Sequence, residues 1–290
     1  MKRVSLSRMF RRPALIALWS LLSIASAAQV RFRLATPETI ELRLKSFSTK
    51  NKERPALILK WLGESGCSAS GLSEQSLELK LPPNVICVLP GDSAATIVVG
   101  AHTDHVDEFG DGVVDNWTGA SLLPSLLFSI SGERRRHTFV FIGFSAEERR
   151  LLGSSYYADH LTSEERSRIV AMVNMDSLGL GPTEVWASHS EKNLLDLLAT
   201  TSAATKHRVT GVNVDYVGTA DSESFARHKI PRITFHSITQ ATLKVLHSPE
   251  DKLRAVQMKD YYESYALIAA YLAVLDEKLG TVPQASGVSK

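Results

Sequence analysis

Seven residues of types that bind metal ions or transfer protons follow apolar runs of this sequence. They are His102 and Asp104 in "VVGAHTDHVD", Asp115 in "GDGVVDNWTGAS", Glu147 and Glu148 in "FSAEE", Asp176 in "VNMDSLG" and His247 in "LHSPED". Imidazole nitrogen and carboxylate oxygen both ligate zinc, at roughly 2.0–2.2 Å. Two histidines and three of the carboxylates therefore form a suitable ligand set for two zinc ions.

Each position also has a purely structural interpretation. Asp115 could lie in a turn and Asp176 could cap a helix, and a single buried residue such as His102 is more often hydrogen-bonded than a metal ligand. These interpretations do not explain why the polar groups recur at the ends of successive predicted strands. Open α/β sheets bind their ligands at that edge, beyond the carboxyl ends of the strands.

The adjacent acids Glu147 and Glu148 gain nothing from their mutual repulsion. Three carboxylates and a hydroxide neutralise two Zn²⁺ ions, so the ligand set needs only one acid of this pair. The other acid is then free to move a proton. The alternative is that both acids begin a helix, where negative charge is favoured by about 0.3–1 kcal/mol.

Short apolar runs rich in β-branched and aromatic residues alternate with segments of helical spacing. The predicted strands are 85–90, 95–102, 138–144, 169–178, 183–188 and 231–237, and the predicted helices are 119–131, 152–168, 191–205 and 258–279. Strands separated by helices imply a largely parallel sheet covered on both faces. We therefore expect one three-layer α/β/α domain with a core at about 37–279, a helical lead-in from about Thr36 and a frayed tail after Gly280.

The first 28 residues have the pattern of a secretory signal peptide. Five basic residues and no acid precede the apolar run "PALIALWSLLSI" and the small residues "ASAAQ". The alternative, an uncleaved anchor, is disfavoured because the run is shorter than the roughly 20 residues of a spanning helix. We expect a mature chain of 29–290 that is secreted or periplasmic, without stable membrane association after cleavage.

Removal of this leader changes the charge of the chain. The full chain has 33 basic and 31 acidic residues, and loss of the five basic residues leaves 28 against 31, a net charge of −3. Nothing then indicates an electrostatic surface for nucleic acid. The sequence does not predict an oligomeric state.

Both cysteines, Cys67 and Cys87, lie in the predicted mature chain. Export would place them in an oxidising compartment, where a disulfide persists. We expect a Cys67–Cys87 bridge, with two buried free thiols as the alternative.

Five motifs in order make the chain resemble the secreted two-zinc aminopeptidases. They are "GAHTDHV", "DNWTGAS", "EERRLLGSSYY", "NMDSLG" and "HSPED", and the resemblance covers roughly residues 80 to 275. The wider zinc-exopeptidase superfamily includes glutamate-carboxypeptidase-like enzymes and glutaminyl cyclases. The resemblance implies a mixed, mostly parallel central sheet and hydrolysis of a peptide or a small amino-acyl substrate.

The resemblance also implies a role for each of the seven residues. It makes Asp115 the carboxylate shared by both zinc ions, with His102 and Asp176 on one ion and Glu148 and His247 on the other. Glu147 becomes the general base, and Asp104 orients the site around His102.

The chain departs from the family pattern before its last predicted strand. Many relatives carry Ser-Asp-His followed by a Gly-Ile-Pro turn, where this chain reads "TADSESFARHKIPRITF". The residue that would help to hold the oxyanion is therefore not identified, with Tyr216 and Ser222 as candidates.

Two other functions stay open at this stage. A glutaminyl-cyclase-like transferase commonly uses one zinc ion, and the complete set of ligand positions favours the two-metal aminopeptidase over it. A binding domain of the same fold would be expected to lack a ligand or the base, and none is missing. A serine hydrolase is disfavoured because the chain has no G-x-S-x-G motif.

Overall fold

The computed structural model describes residues 30–78, 80–216 and 218–281 of the 290-residue chain. The predicted leader at 1–28 and the tail from residue 282 onwards lie outside the described residues. Among the helices described, none is both long and apolar enough to cross a membrane.

One mixed sheet forms the centre of the molecule, with the strand order β1-β2-β4-β3-β5-β8-β6-β7. The strands are β1 Leu72–Gln75, β2 Asn84–Leu89, β3 Thr96–His102, β4 Thr138–Phe144, β5 Ile169–Met175, β6 Glu184–Val185, β7 Thr210–Gly211 and β8 Arg232–His236. The central strands β4, β3, β5 and β8 are mutually parallel, whereas β1, β2 and β6 pair antiparallel with β2, β4 and β8. The predicted α/β class with a mostly parallel mixed sheet is confirmed.

Helices cover both faces of this sheet. They are α1 Pro37–Lys45, α2 Arg54–Glu64, α3 Thr118–Ser131, α4 Leu152–His160, α5 Ser163–Arg168, α6 Lys192–Thr205, α7 Ser222–Ala226 and α8 Met258–Lys278. Alternate residues of β3 enter different apolar layers: Val99 packs in the layer that includes Tyr265 of α8, and Val98 packs in the layer that includes Tyr157 of α4 and Phe225 of α7. Burial on both faces explains why this strand is a continuous apolar run.

Most predicted elements agree with the structure to within one residue at each end. This holds for the strands at 85–90, 95–102, 138–144 and 231–237, for the helices at 119–131, 191–205 and 258–279, and for the start of the helical lead-in, since Thr36 caps α1. The strand predicted at 169–178 ends early, at Met175.

Two other predicted elements were also wrong in extent. The helix at 152–168 is interrupted, because Thr162 and Glu165 form a capping box that begins α5 as a separate helix. The strand at 183–188 is only the two-residue β6, and Ala187–His189 forms a 3-10 turn instead. No prediction covered α2, α7 or the short strands β1 and β7.

A disulfide joins Cys67, which follows α2, to Cys87 in β2, with Cα atoms 6.1 Å apart. The predicted bridge is confirmed. It ties the end of α2 to the strand on which this helix packs.

Candidate metal centre

The carboxyl ends of three neighbouring strands bring four of the predicted residues to one edge of the sheet. His102 is the last residue of β3, Asp176 directly follows β5, and Glu147 and Glu148 lie on the loop after β4. Because β4, β3 and β5 are adjacent and parallel, their ends meet at the same edge. The shared location that the sequence predicted is therefore observed.

Asp115 and His247 reach this edge from loops. Asp115 lies in the single irregular turn Val113–Trp117 that precedes α3, where its peptide bond with Asn116 is cis. His247 lies between the 3-10 turn Leu243–Val245 and α8, and its side chain is half exposed.

Two groups of three potential ligands share Asp115. One contains His102, Asp115 and Asp176, and the other contains Asp115, Glu148 and His247, with one ligand atom of each residue within 4.8 Å of the others. Asp115 Oδ1 lies 3.2 Å from His102 Nε2, and Asp115 Oδ2 lies 3.2 Å from His247 Nε2. These five side chains could hold two cations with Asp115 shared between them.

The charged groups of the cluster shift one another's pKa values. Hydrogen bonds to Asp115 and Glu148 raise the pKa of His247 to about 10. Burial raises the pKa of Asp115, but hydrogen bonds with His102 and His247 outweigh it and hold this pKa below its usual value. Burial and neighbouring carboxylates raise the pKa of Glu147 well above its usual value, against the opposing charge of His102. Carboxylates packed together in this way need cations to neutralise them, so the donor set suits a metal centre.

Asp104 fixes both the histidine and the two glutamates. Its carbonyl oxygen lies 3.0 Å from His102 Nδ1, so Nδ1 donates there and Nε2 faces the other ligands. Its carboxylate accepts hydrogen bonds from the backbone N–H groups of Glu147, at 3.0 Å, and Glu148, at 3.3 Å. Its carboxylate is farther from His102, with Oδ1 3.7 Å from Nδ1.

The turn that carries Asp115 has supports that the sequence did not predict. Asp251 accepts hydrogen bonds from the backbone N–H groups of Val114, at 2.6 Å, and Asp115, at 3.2 Å. The guanidinium of Arg54 is fully buried and donates to three carbonyl oxygens, those of Ser48, Thr103 and Asp111. The position of Asp251 in the motif "HSPED" is a sequence signal for a role at the site. No neighbouring residue pattern gives such a signal for Arg54.

Asn116 connects this turn to the end of β5. Its amide donates to the carbonyl oxygen of Met175 at 2.8 Å and accepts from the N–H groups of Gly119 and Ser177 at 3.0 and 3.2 Å. The side chain thereby holds the residues next to Asp115 and Asp176 against each other.

A cavity of about 430 Å³ opens over the cluster. The predicted ligands and Glu147 line one part of it, and Trp186, Val214 and Ile238 belong to a buried apolar cluster that lines another. Neither candidate for the oxyanion lines this cavity: Tyr216 is 65% exposed, and the hydroxyl of Ser222 is buried and accepts a hydrogen bond from Thr234.

The family model of Peptidase family M28 matches residues 84–272, more than half of the chain and a range that includes all seven predicted site residues. The chain belongs to this family. The resemblance to the zinc-exopeptidase superfamily is thereby confirmed.

Aminopeptidase YwaD of Bacillus subtilis is 28% identical over 219 residues, which are 71% of this chain and 46% of that protein. Leucine aminopeptidase 2 of Trichophyton equinum is 32% identical over 89 residues, or 31% of this chain and 18% of that protein. The chain thus spans less than half the length of these two relatives.

Solved structures share the fold. The zinc aminopeptidase of Bacillus subtilis has a TM-score of 0.61 at 23% identity, over 68% of this chain and 51% of that chain. A glutaminyl cyclase from an Acidobacteriales bacterium has a TM-score of 0.73 at 16% identity, over 88% of this chain and 99% of that chain. At these identities the likeness concerns the fold alone.

Proposed function

We propose that this protein is a zinc-dependent aminopeptidase that removes N-terminal residues from peptides with the help of two zinc ions. One observation carries the proposal: Asp115 presents its two oxygens to different histidines and belongs to both groups of potential ligands. The relatives named as aminopeptidases support peptides as the substrate class.

The donor types suit zinc, which binds imidazole nitrogen and carboxylate oxygen. His102 and Asp176 would hold one ion and Glu148 and His247 the other, with Asp115 common to both. When bound, zinc polarises the scissile carbonyl and lowers the pKa of a water molecule.

Glu147 is the general base in this proposal. Its side chain lines the cavity and belongs to neither group of potential ligands that contains Asp115. It does form a third group of neighbouring potential ligands with His102 and Glu148. The carboxylate takes a proton from water and returns it to the leaving amine, a step typically worth about 10²–10⁴-fold. The backbone hydrogen bond to Asp104 keeps this carboxylate in position.

Export of the mature chain is part of the proposal. The disulfide between Cys67 and Cys87 supports it, since such bonds persist in oxidising compartments. Fractionation of cells that express the full chain, with the N-terminus of the product sequenced, tests both export and cleavage near residue 28.

The decisive experiment incubates the purified mature chain, zinc-loaded or chelator-treated, with peptides that differ in their N-terminal residue and include glutamine. Chelator-sensitive, stepwise loss of whole N-terminal residues is the expected result. Loss of ammonia from glutamine-led peptides alone would instead establish a glutaminyl cyclase, the alternative that the shared fold keeps open.

The role of Glu147 has its own test. Glu147→Gln should retain its zinc, measured by elemental analysis, and lose about 10²–10⁴-fold in kcat, because glutamine cannot accept the proton. A zinc-loaded variant with wild-type turnover would exclude Glu147 as the base.

A further inference from the structure

Arg150 is a cation at the cavity that the proposed reaction does not use. Its side chain lines the same cavity as Glu147 and Glu148 and is exposed. Within the part of the chain that the structure describes, its guanidinium forms neither a hydrogen bond nor an ion pair. The folded chain therefore leaves its five N–H donors available to a ligand.

The local backbone does not explain an arginine at this position. Arg150 has a φ of 65°, in the left-handed region where glycine is the unstrained residue. The loop is closed by hydrogen bonds from Leu151 N to the carbonyl oxygen of Glu147, at 2.8 Å, and from Leu152 N to that of Ala146, at 3.0 Å. The strained conformation is thus fixed, and the loop places a long cationic side chain in the lining of the cavity that the two glutamates also line.

The described residues that line the rest of the cavity include no second arginine or lysine. The apolar wall of Trp186, Val214 and Ile238 comes from segments at and beyond β6 and β8, whereas Arg150 follows β4. In the sheet, β3 and β5 lie between β4 and β8, so these two parts of the lining approach the cluster from opposite sides. Among the described residues that line the cavity, Arg150 is the one permanently charged cation.

We propose that Arg150 binds a carboxylate group of the substrate and so makes this enzyme selective for peptides that carry one close to the scissile bond. A guanidinium presents its donors as a planar fork that matches a carboxylate. A cavity of about 430 Å³ lies toward the small end of the roughly 300–1,000 Å³ typical of ligand pockets, which suits a short substrate. The inference rests on the proposed aminopeptidase activity and names its substrate class.

The proposal concerns a carboxylate from one of two sources in the substrate. It is the C-terminal carboxylate of a dipeptide, or it is the side chain of an acidic N-terminal residue. Two substrate pairs separate these sources: Leu-Gly against Leu-Gly amide, and Glu-Gly amide against Gln-Gly amide. Within each pair only the carboxylate changes.

The test compares kcat/KM for both pairs in the wild type, Arg150→Asn and Arg149→Asn. Asparagine tolerates the left-handed conformation, so Arg150→Asn removes the guanidinium without new backbone strain. Arg149 is an exposed arginine of the same loop that does not line the cavity, and its variant is the matched charge control. In one pair the wild type should prefer the carboxylate form by roughly 10-fold or more, the size of a charge-assisted hydrogen bond. Arg150→Asn should abolish this preference, and Arg149→Asn should keep it.

Calorimetry on zinc-loaded Glu147→Gln and on Glu147→Gln with Arg150→Asn measures binding of the same peptides without turnover. Tighter binding of a carboxylate form that depends on Arg150 supports the inference, even where the wild type cleaves neither pair and the aminopeptidase proposal fails. Cleavage of both members of each pair at equal rates, unchanged by Arg150→Asn, overturns the inference and leaves the aminopeptidase proposal standing. Equal binding of the two forms in both backgrounds also overturns it.

Discussion

Asp104→Asn should loosen the loop of the two glutamates while leaving His102 in position. The side chain of Asp104 holds the backbone of Glu147 and Glu148, but its contact with His102 Nδ1 is made by the carbonyl oxygen of the main chain. The substitution therefore tests the placement of the glutamate loop separately from the placement of His102. Removal of a metal ligand would change both the metal and the loop.

The expected magnitude follows from the two hydrogen bonds. The asparagine oxygen can still accept from one N–H, whereas its NH₂ group would face the other N–H and leave it unpaired. Loss of one charge-assisted hydrogen bond, with the second one weakened, should lower the free energy of unfolding by about 2–3 kcal/mol. A displacement of Glu147 by about 1 Å should lower kcat by about 100-fold.

Urea unfolding of the zinc-loaded protein measures the first effect, and kcat for a leucine-led peptide at saturating concentration measures the second. Glu108→Gln, which neutralises an exposed acid on the segment after Asp104, is the control and should change neither. Wild-type kcat in Asp104→Asn would refute the positioning role. Recovery of activity with excess zinc would show that the variant had lost metal rather than the placement of its base.

Three further predictions concern stability, each measured by urea unfolding. Arg54→Lys should cost about 2–4 kcal/mol, because a compact ammonium cannot reach all three carbonyl oxygens that the guanidinium binds. Joint replacement of Cys67 and Cys87 by serine should cost about 3 kcal/mol, since the bridge closes a loop across a sequence separation of 20 residues. Burial alone would raise the pKa of Asp276, but hydrogen bonds from His137 and nearby backbone N–H groups lower it. Its contribution is therefore present above the unfolded-state pKa of about 3.9 and is lost as the pH falls through the lower folded-state pKa, so Asp276→Asn should reduce the acid sensitivity of the urea midpoint.

Each of these predictions has a result that would contradict it. Equal unfolding free energies for the wild type and Arg54→Lys would mean that the three hydrogen bonds of the guanidinium add no stability beyond that of a lysine ammonium. An unchanged midpoint in the double serine variant, with thiol titration confirming the oxidised wild type, would show that the bridge adds no stability. An Asp276→Asn variant that keeps the full acid sensitivity would place the responsible carboxylate elsewhere.

The fold was predictable from the sequence where burial on both faces of a strand makes its residues continuously apolar. The strand at 138–144 has the predicted bounds because both of its faces are covered, so every position is apolar or glycine after Thr138. The strand β1 was missed because it is a polar edge segment that exists by pairing with β2. The sequence contains a signal for the interruption between α4 and α5, because Thr162 and Glu165 have the spacing of a capping box. The prediction missed it because the segments on both sides have helical spacing.

The sequence by itself determined which side chains follow the predicted strands and in what order they occur. Those are local properties of residue type and spacing. Only the tertiary structure decided which groups support them, because those contacts join distant parts of the chain: Asp251 reaches the backbone of Asp115 across 136 residues, and Arg54 reaches Thr103 across 49. The sequence shows that residue 150 is an arginine, but only the tertiary structure shows that it lines the cavity. Its position there depends on a left-handed backbone and on cavity walls that other strands contribute.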